Sequence, residues 1–147
     1  MFYHSSDWAH SKIMTGAQQE KLSSWTSSLV TSAGHWSLCY QKSTDGCHAS
    51  TFHSKCNNYK NTIVVIRNSA GQVFGGTNVA KWSHASSGTS PHQMLFSLSL
   101  GVTMRKTSSQ SSTACSMSSY GPTVSSVSGA VGPRMAARCT PPQYHGQ

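Results

Sequence analysis

The most apolar stretch of the chain is Ile63-Val64-Val65-Ile66, a β-branched run too short for an ordinary helix and suited to a buried strand. Asn68-Ser69-Ala70-Gly71 supplies turn chemistry after it, and Gln72-Val73-Phe74 opens a second strand that Gly75-Gly76 ends or kinks. The pattern predicts a hairpin with a short loop. Such a hairpin is marginal alone in water, so other elements must cover it. Upstream, Thr15-Gly16-Ala17-Gln18 is a capping-box pattern, with Leu22, Trp25 and Leu29 at i, i+3 and i+7 of one face. They predict a helix from Gly16 to Leu29, whose narrow apolar face places it on the outside of a sheet. His35–Tyr40 alternates, is rich in aromatic residues and predicts a strand. Thr44-Asp45-Gly46 reads as a turn, and Ala49, Phe52, His53 and Cys56 are spaced as a short helix. Val79–Trp82 and the run MLFSLSL at Met94–Leu100 predict further strands, separated by a polar loop at His84–Pro91.

Phe2, Tyr3, Trp8 and Ile13 are the expected anchors of the N-terminal segment. After Gly101 the character changes. Lys106–Ser119 is mostly serine, threonine and small residues, and Val124–Gln147 is Ser, Gly, Ala and Pro with little periodicity. Too little apolar surface remains there to offset the entropy of ordering the chain. The expected organisation is one domain over residues 1–123 and a disordered tail over 124–147, with no internal repeat.

Charge narrows the functional classes. Eleven Lys and Arg residues face only Asp7, Glu20 and Asp45, a formal charge of +8 in 147 residues. This favours acidic partners. The basic residues are scattered, however, so specific nucleic-acid binding is not expected, and a nonspecific nucleic-acid binder is the weaker alternative. Few carboxylates are available for acid/base pairs or hard-metal sites. There is no G-x-S-x-G elbow, no G-x-G-x-x-G and no Walker lysine. The chain is therefore not expected to be an enzyme. No apolar run approaches the ~20 residues of a membrane span, and MFYHSSDWAH lacks a secretory pattern. Five cysteines, an odd number, fit free thiols in a reducing compartment better than a disulfide framework, and the cytoplasm is the expected location.

The cluster Cys39, Cys47, His48, His53 and Cys56 carries the candidate chemistry. Thiolate and imidazole suit zinc, and Cys39, Cys47, His53 and Cys56 are the alternative metal set. No C-x-x-C knuckle is present, and His53 and Cys56 sit beside Phe52, a core position. Buried free cysteine and a hydrogen-bonded histidine are the preferred reading, with no metal and no cofactor. Cys39 or Cys56 paired with His35, His48 or His53 would make a thiol–imidazole nucleophile only with an exposed thiol of depressed pKa. Trp25, Trp36 and Trp82 read as core rather than base-stacking platforms. Loops at Gln41–His48 and Thr77–Ser90 are the first positions to examine for partner contact.

Several stretches, in order, resemble the TLDc domain, the module of the oxidation-resistance proteins. They are SKIMTGAQQEKLSSW at Ser11–Trp25, HWSLCYQKSTDG at His35–Gly46, TFHSKCNN at Thr51–Asn58, TIVVIRNSAGQVFGG at Thr62–Gly76, and Trp82. Weaker echoes follow in MLFSLSL and in SSYGPT at Ser118–Thr123. Cys47-His48 departs from the aromatic residue usual after Asp-Gly, and Thr77-Asn78 from the usual tyrosine-containing pair. Val124–Gln147 matches none of the family's C-terminal strands, so the domain is expected to be diverged or truncated there. The resemblance implies an α+β fold, a TLDc-like antiparallel β-sandwich with flanking helices, incomplete at its C-terminus. It gives FHSKC a packing role. It also implies a non-enzymatic binding and regulatory module, a part in oxidative-stress protection, and contact with peripheral subunits of the proton-pumping V-ATPase. A zinc or thiol-redox protein, and a degenerate TLDc fragment without its own activity, are the alternatives.

Overall fold

The hairpin forms as its pattern predicts: β1 (Thr62–Arg67) pairs antiparallel with β2 (Val73–Asn78) along its full length. The computed structural model describes residues 8, 11–29, 36–79, 81–82 and 93–105, and the backbone of three short strands between residues 114 and 136. The Asn68 side chain organises the turn, its Oδ1 accepting from Gln72 N at 2.9 Å while its carbonyl accepts from Gly71 N. Gly71 is left-handed there (φ 78°), a conformation that costs glycine no steric clash.

β3 (Met94–Ser97) pairs antiparallel with β2, and β4 (Val102–Arg105) with β3, giving a sheet of order β1-β2-β3-β4. The fourth strand is not predicted by the sequence pattern. Its turn runs through Gly101 at φ 70°, and only Thr103 of its residues is even half-buried, so the burial signal is faint. A second antiparallel sheet has the order β5-β6-β7, from Ala114–Cys115, Thr123–Ser125 and Arg134–Ala136. The last of these, and Val124-Ser125 of β6, lie in the segment expected to be an unstructured tail; the rest of that segment, the loop at 84–91, Phe2 and Tyr3 lie outside the described residues. The fold is α+β.

Helix α1 (Gly16–Thr26) opens with the predicted reciprocal cap. Thr15 Oγ1 accepts from Gln18 N at 3.3 Å, and Gln18 Oε1 accepts from Thr15 N at 3.0 Å. A 3-10 turn, Ser27–Leu29, extends it to the predicted end. One turn of helix, α2 (Lys42–Asp45), stands where a turn is expected, and α3 (Ala49–Cys56) has the predicted bounds.

The four-residue apolar run has a simple cause: both faces of the first sheet are covered. Ile63 and Val65 pack with Met94, Phe96, Met14 and Leu22, the last from α1. Val64 packs with Leu95, Trp82, Phe52 and Cys56, the last two from α3. Alternate residues on a strand point to opposite faces, and the register Val64–Gly76–Leu95 and Val65–Gly75–Phe96 keeps each set together. A strand buried on both sides reads as a continuous hydrophobic run. Gly75 lies under the Phe96 ring, where an added Cβ would come within 1.9 Å of the Val64 carbonyl oxygen and 2.6 Å of Phe96 Cζ. A strand interior takes glycine where another group approaches this closely.

Two predicted strands are absent. Trp36–Tyr40 is irregular, with Leu38 exposed, because the segment lies beside α3 rather than beside a strand that could pair with it. Val79 and Lys81-Trp82 also lie outside any strand. Trp82 instead turns into the α3-side core, its Nε1 donating to Thr62 Oγ1 at 2.8 Å. Among the described residues no helix is long and apolar enough to cross a membrane.

Candidate functional site at the α2–α3 corner

The residues with candidate chemistry fall at the corner made by α2, α3 and the segment leading into them. The corner is built by short-range hydrogen bonds. Asp45 ends α2 and folds back on it, Oδ2 accepting from Gln41 N at 2.8 Å, while Gly46, left-handed at φ 83°, returns its N–H to the Lys42 carbonyl. Asp45 Oδ1 accepts from Lys55 Nζ on α3 at 2.6 Å. The hydrogen bond from Lys55, followed by that from the Gln41 backbone, holds the Asp45 carboxyl below its ordinary value of 3.8. Tyr40 donates its hydroxyl to the Gly46 carbonyl at 2.5 Å and stands edge-on to Phe52, with centroids 5.5 Å apart.

Phe52 and Cys56 are one turn apart on α3 and share its buried face. Phe52 meets Trp82 edge-on at 5.3 Å. Cys56, fully buried, is bonded to Cys39 in a disulfide that spans 17 positions with a Cα separation of 5.7 Å. This corrects the expectation of free thiols at both positions. The apolar face of α3 draws residues 36–40 alongside it, and the Cα atoms then stand within bridging distance, a proximity that cysteine count cannot reveal. Closing a loop of this length removes unfolded-chain entropy worth on the order of 3 kcal/mol.

The alternative zinc set is not assembled. Cys39 and Cys56 are joined to each other, Cys47 is an exposed free thiol, and His53 Nδ1 lies 2.7 Å from Asn57 Oδ1. Among the described residues no three His, Cys, Asp or Glu side chains are grouped to hold a metal ion. The disulfide also removes Cys39 and Cys56 from service as nucleophiles, since the thiolate is the reactive form. His35 lies outside the described residues.

What the corner presents to solvent is basic and polar: Lys42, Ser43, Thr44, Cys47 and His48 are all exposed. Its one acid is engaged by Lys55. The other predicted contact loop divides differently. Thr77 and Asn78 are buried at the end of β2, Thr77 Oγ1 accepting from Met94 N at 2.9 Å, and residues 83–90 lie outside the described set. The departure from the family's pattern at Thr77-Asn78 is thus a core feature.

Sequence reasoning missed the disulfide, although one signal for it is present. Cys56 lies four residues after Phe52 on an apolar helical face, so a second cysteine in the segment packed on that face is its natural partner. No curated protein and no solved structure matches the chain. The TLDc domain model matches residues 9–129, a span that holds α1, the braced corner, and every strand from β1 to β6. By that match, which covers most of its length, the chain belongs to the TLDc domain family.

Proposed function

We propose that this chain is a non-enzymatic binding and regulatory module that acts in the cytoplasm, takes part in oxidative-stress protection, and engages peripheral subunits of the V-ATPase. The observation that carries the reading is the TLDc match over residues 9–129. The charge balance supports it: eleven basic residues against three acidic ones suit a partner with an acidic face. The exposed basic corner around Lys42 and His48 is the surface this reading assigns to the contact. Stacking of the two sheets as a sandwich belongs to the same reading.

The test is capture of V-ATPase peripheral subunits from lysate by the full chain, beside an unrelated protein of equal charge at the same salt. Retention by this chain alone is the expected result. Equal retention on the control, or none on either, overturns the partner assignment.

A further inference from the structure

We infer that the Cys39–Cys56 disulfide is a reducible clasp: opening it with a dithiol releases residues 36–47 from α3 while the first sheet stays folded. Three observations lead there. The segment 36–40 belongs to no strand, so no sheet ladder holds it. It is tied to the body by the disulfide, by the edge contact of Tyr40 with Phe52, and by the stack of Trp36 on Trp8 at 5.6 Å. Beyond it, the bonds from Tyr40 to Gly46 and from Gln41 to Asp45 fasten the corner to itself, and Lys55 on Asp45 is a solvent-screened tie back to α3.

The two sulfurs are unequally covered, and this sets the direction of the chemistry. Cys39 is half-buried, whereas Cys56 is sealed among Phe52, Trp82 and Leu95. A reductant thiolate therefore attacks Cys39 Sγ, forms a mixed disulfide there, and expels Cys56 as thiolate, which takes up a proton. The reductant's second thiol then attacks its own sulfur of the mixed disulfide and frees Cys39, which is protonated in turn. The reductant leaves as its cyclic disulfide, two electrons having passed to the protein. The neutral Cys56 thiol suits the apolar site it already occupies, since a free cysteine packs as a small hydrophobe. So α3 keeps its seat by Phe52 and Cys56, and Cys39 is the end that moves.

The core on the other face of the sheet, built from Met14, Leu22, Met94 and Phe96, shares no buried residue with the clasp and meets its segment through the stack of Trp36 on Trp8, a partly buried ring packed against that core. That separation makes the opening local. A cytoplasmic chain would close the clasp only under oxidising conditions, because that compartment keeps thiols reduced.

The experiment is hydrogen–deuterium exchange of the full chain, purified without reductant, before and after dithiothreitol, with iodoacetamide labelling mapped by peptide mass. Before reduction, Cys47 is expected to label while Cys39 and Cys56 do not. After reduction, Cys39 labels and Cys56 stays protected. Exchange over residues 36–47 should quicken about tenfold or more, with β1, β2 and β3 unchanged. Cys39→Ser should show the reduced pattern without reductant and no response to it, and Cys47→Ser should respond as the parent does. Should Cys39→Ser fail to fold, the reduced parent chain still decides the matter. Faster exchange through the whole sheet on reduction would make the bond a global staple and overturn the inference. So would unchanged exchange over 36–47, or labelling of Cys39 before reduction.

Discussion

The two helices that cover the first sheet are held to it by different means. Helix α1 is eleven residues long, begins with a complete capping box, and seats Leu22 in a core that also draws in Met14, Trp25 and Phe96. Helix α3 is eight residues long, has no side-chain cap at its start, and seats Phe52 and Cys56. A helix that short is unstable by itself, and its missing cap leaves first-turn N–H groups to be met otherwise. Packing of Phe52 and Cys56 seats α3 on the sheet, and the disulfide joins the helix not to the sheet but to residues 36–40 outside it. The lesson is that one face of the sheet ends at a capped, packed helix, whereas the helix on the other face carries a further segment whose hold on it depends on the oxidation state of the medium.

Truncating the anchors tests this most strongly. Phe52→Ala should cost about 3–5 kcal/mol and Leu22→Ala about 2–5 kcal/mol in denaturant unfolding. The informative quantity is their response to dithiothreitol. Reduction should shrink the Phe52→Ala cost, because Tyr40 has then left the ring, and leave the Leu22→Ala cost unchanged. Equal responses would erase the distinction between the faces. A smaller effect is expected at the cap: Thr15→Ala should lose about 1 kcal/mol through the freed Gln18 N–H, with no dependence on reductant.

The smallest effect concerns acidity. Asp45 has a carboxyl pKa depressed below 3.8 in the folded chain, so its pairing stabilises the corner at pH above that value. The contribution is lost as pH falls through the depressed folded value, where the carboxylate must protonate. Melts of the parent chain and Asp45→Asn, taken from above 3.8 downward, should converge in acid and differ above it. A constant gap throughout would mean that the Lys55 and Gln41 contacts do not set the corner's pH response.

The same division explains what was legible in the sequence. Where local chemistry decides the outcome, the pattern sufficed: the Thr15–Gln18 box, the Asn68–Gly71 turn and the Phe52–Cys56 spacing all formed as read. Where a distant partner decides, it did not. Residues 36–40 have the alternation of a strand, but their neighbour is α3, and alternation does not say what lies alongside. Val102–Arg105 has weak alternation and an exposed Met104, and it is a strand because β3 offers it an edge. The zinc set shared that blindness, since spacing places ligands along the chain and not around a point.

The strand order carries one more consequence. β1, the most β-prone segment of the chain, is a terminal strand of its sheet, not an internal one. A terminal strand rich in Ile and Val is the kind of surface on which chains stack into aggregates. Here Lys60 and Arg67, both exposed, bracket the apolar run, and Asn61 at φ 52° breaks the extended backbone just before it. Like charges brought together on neighbouring chains repel, and a kinked approach cannot extend the ladder. The two cations that flank β1 thus set like charge against like wherever two copies of this strand meet edge to edge.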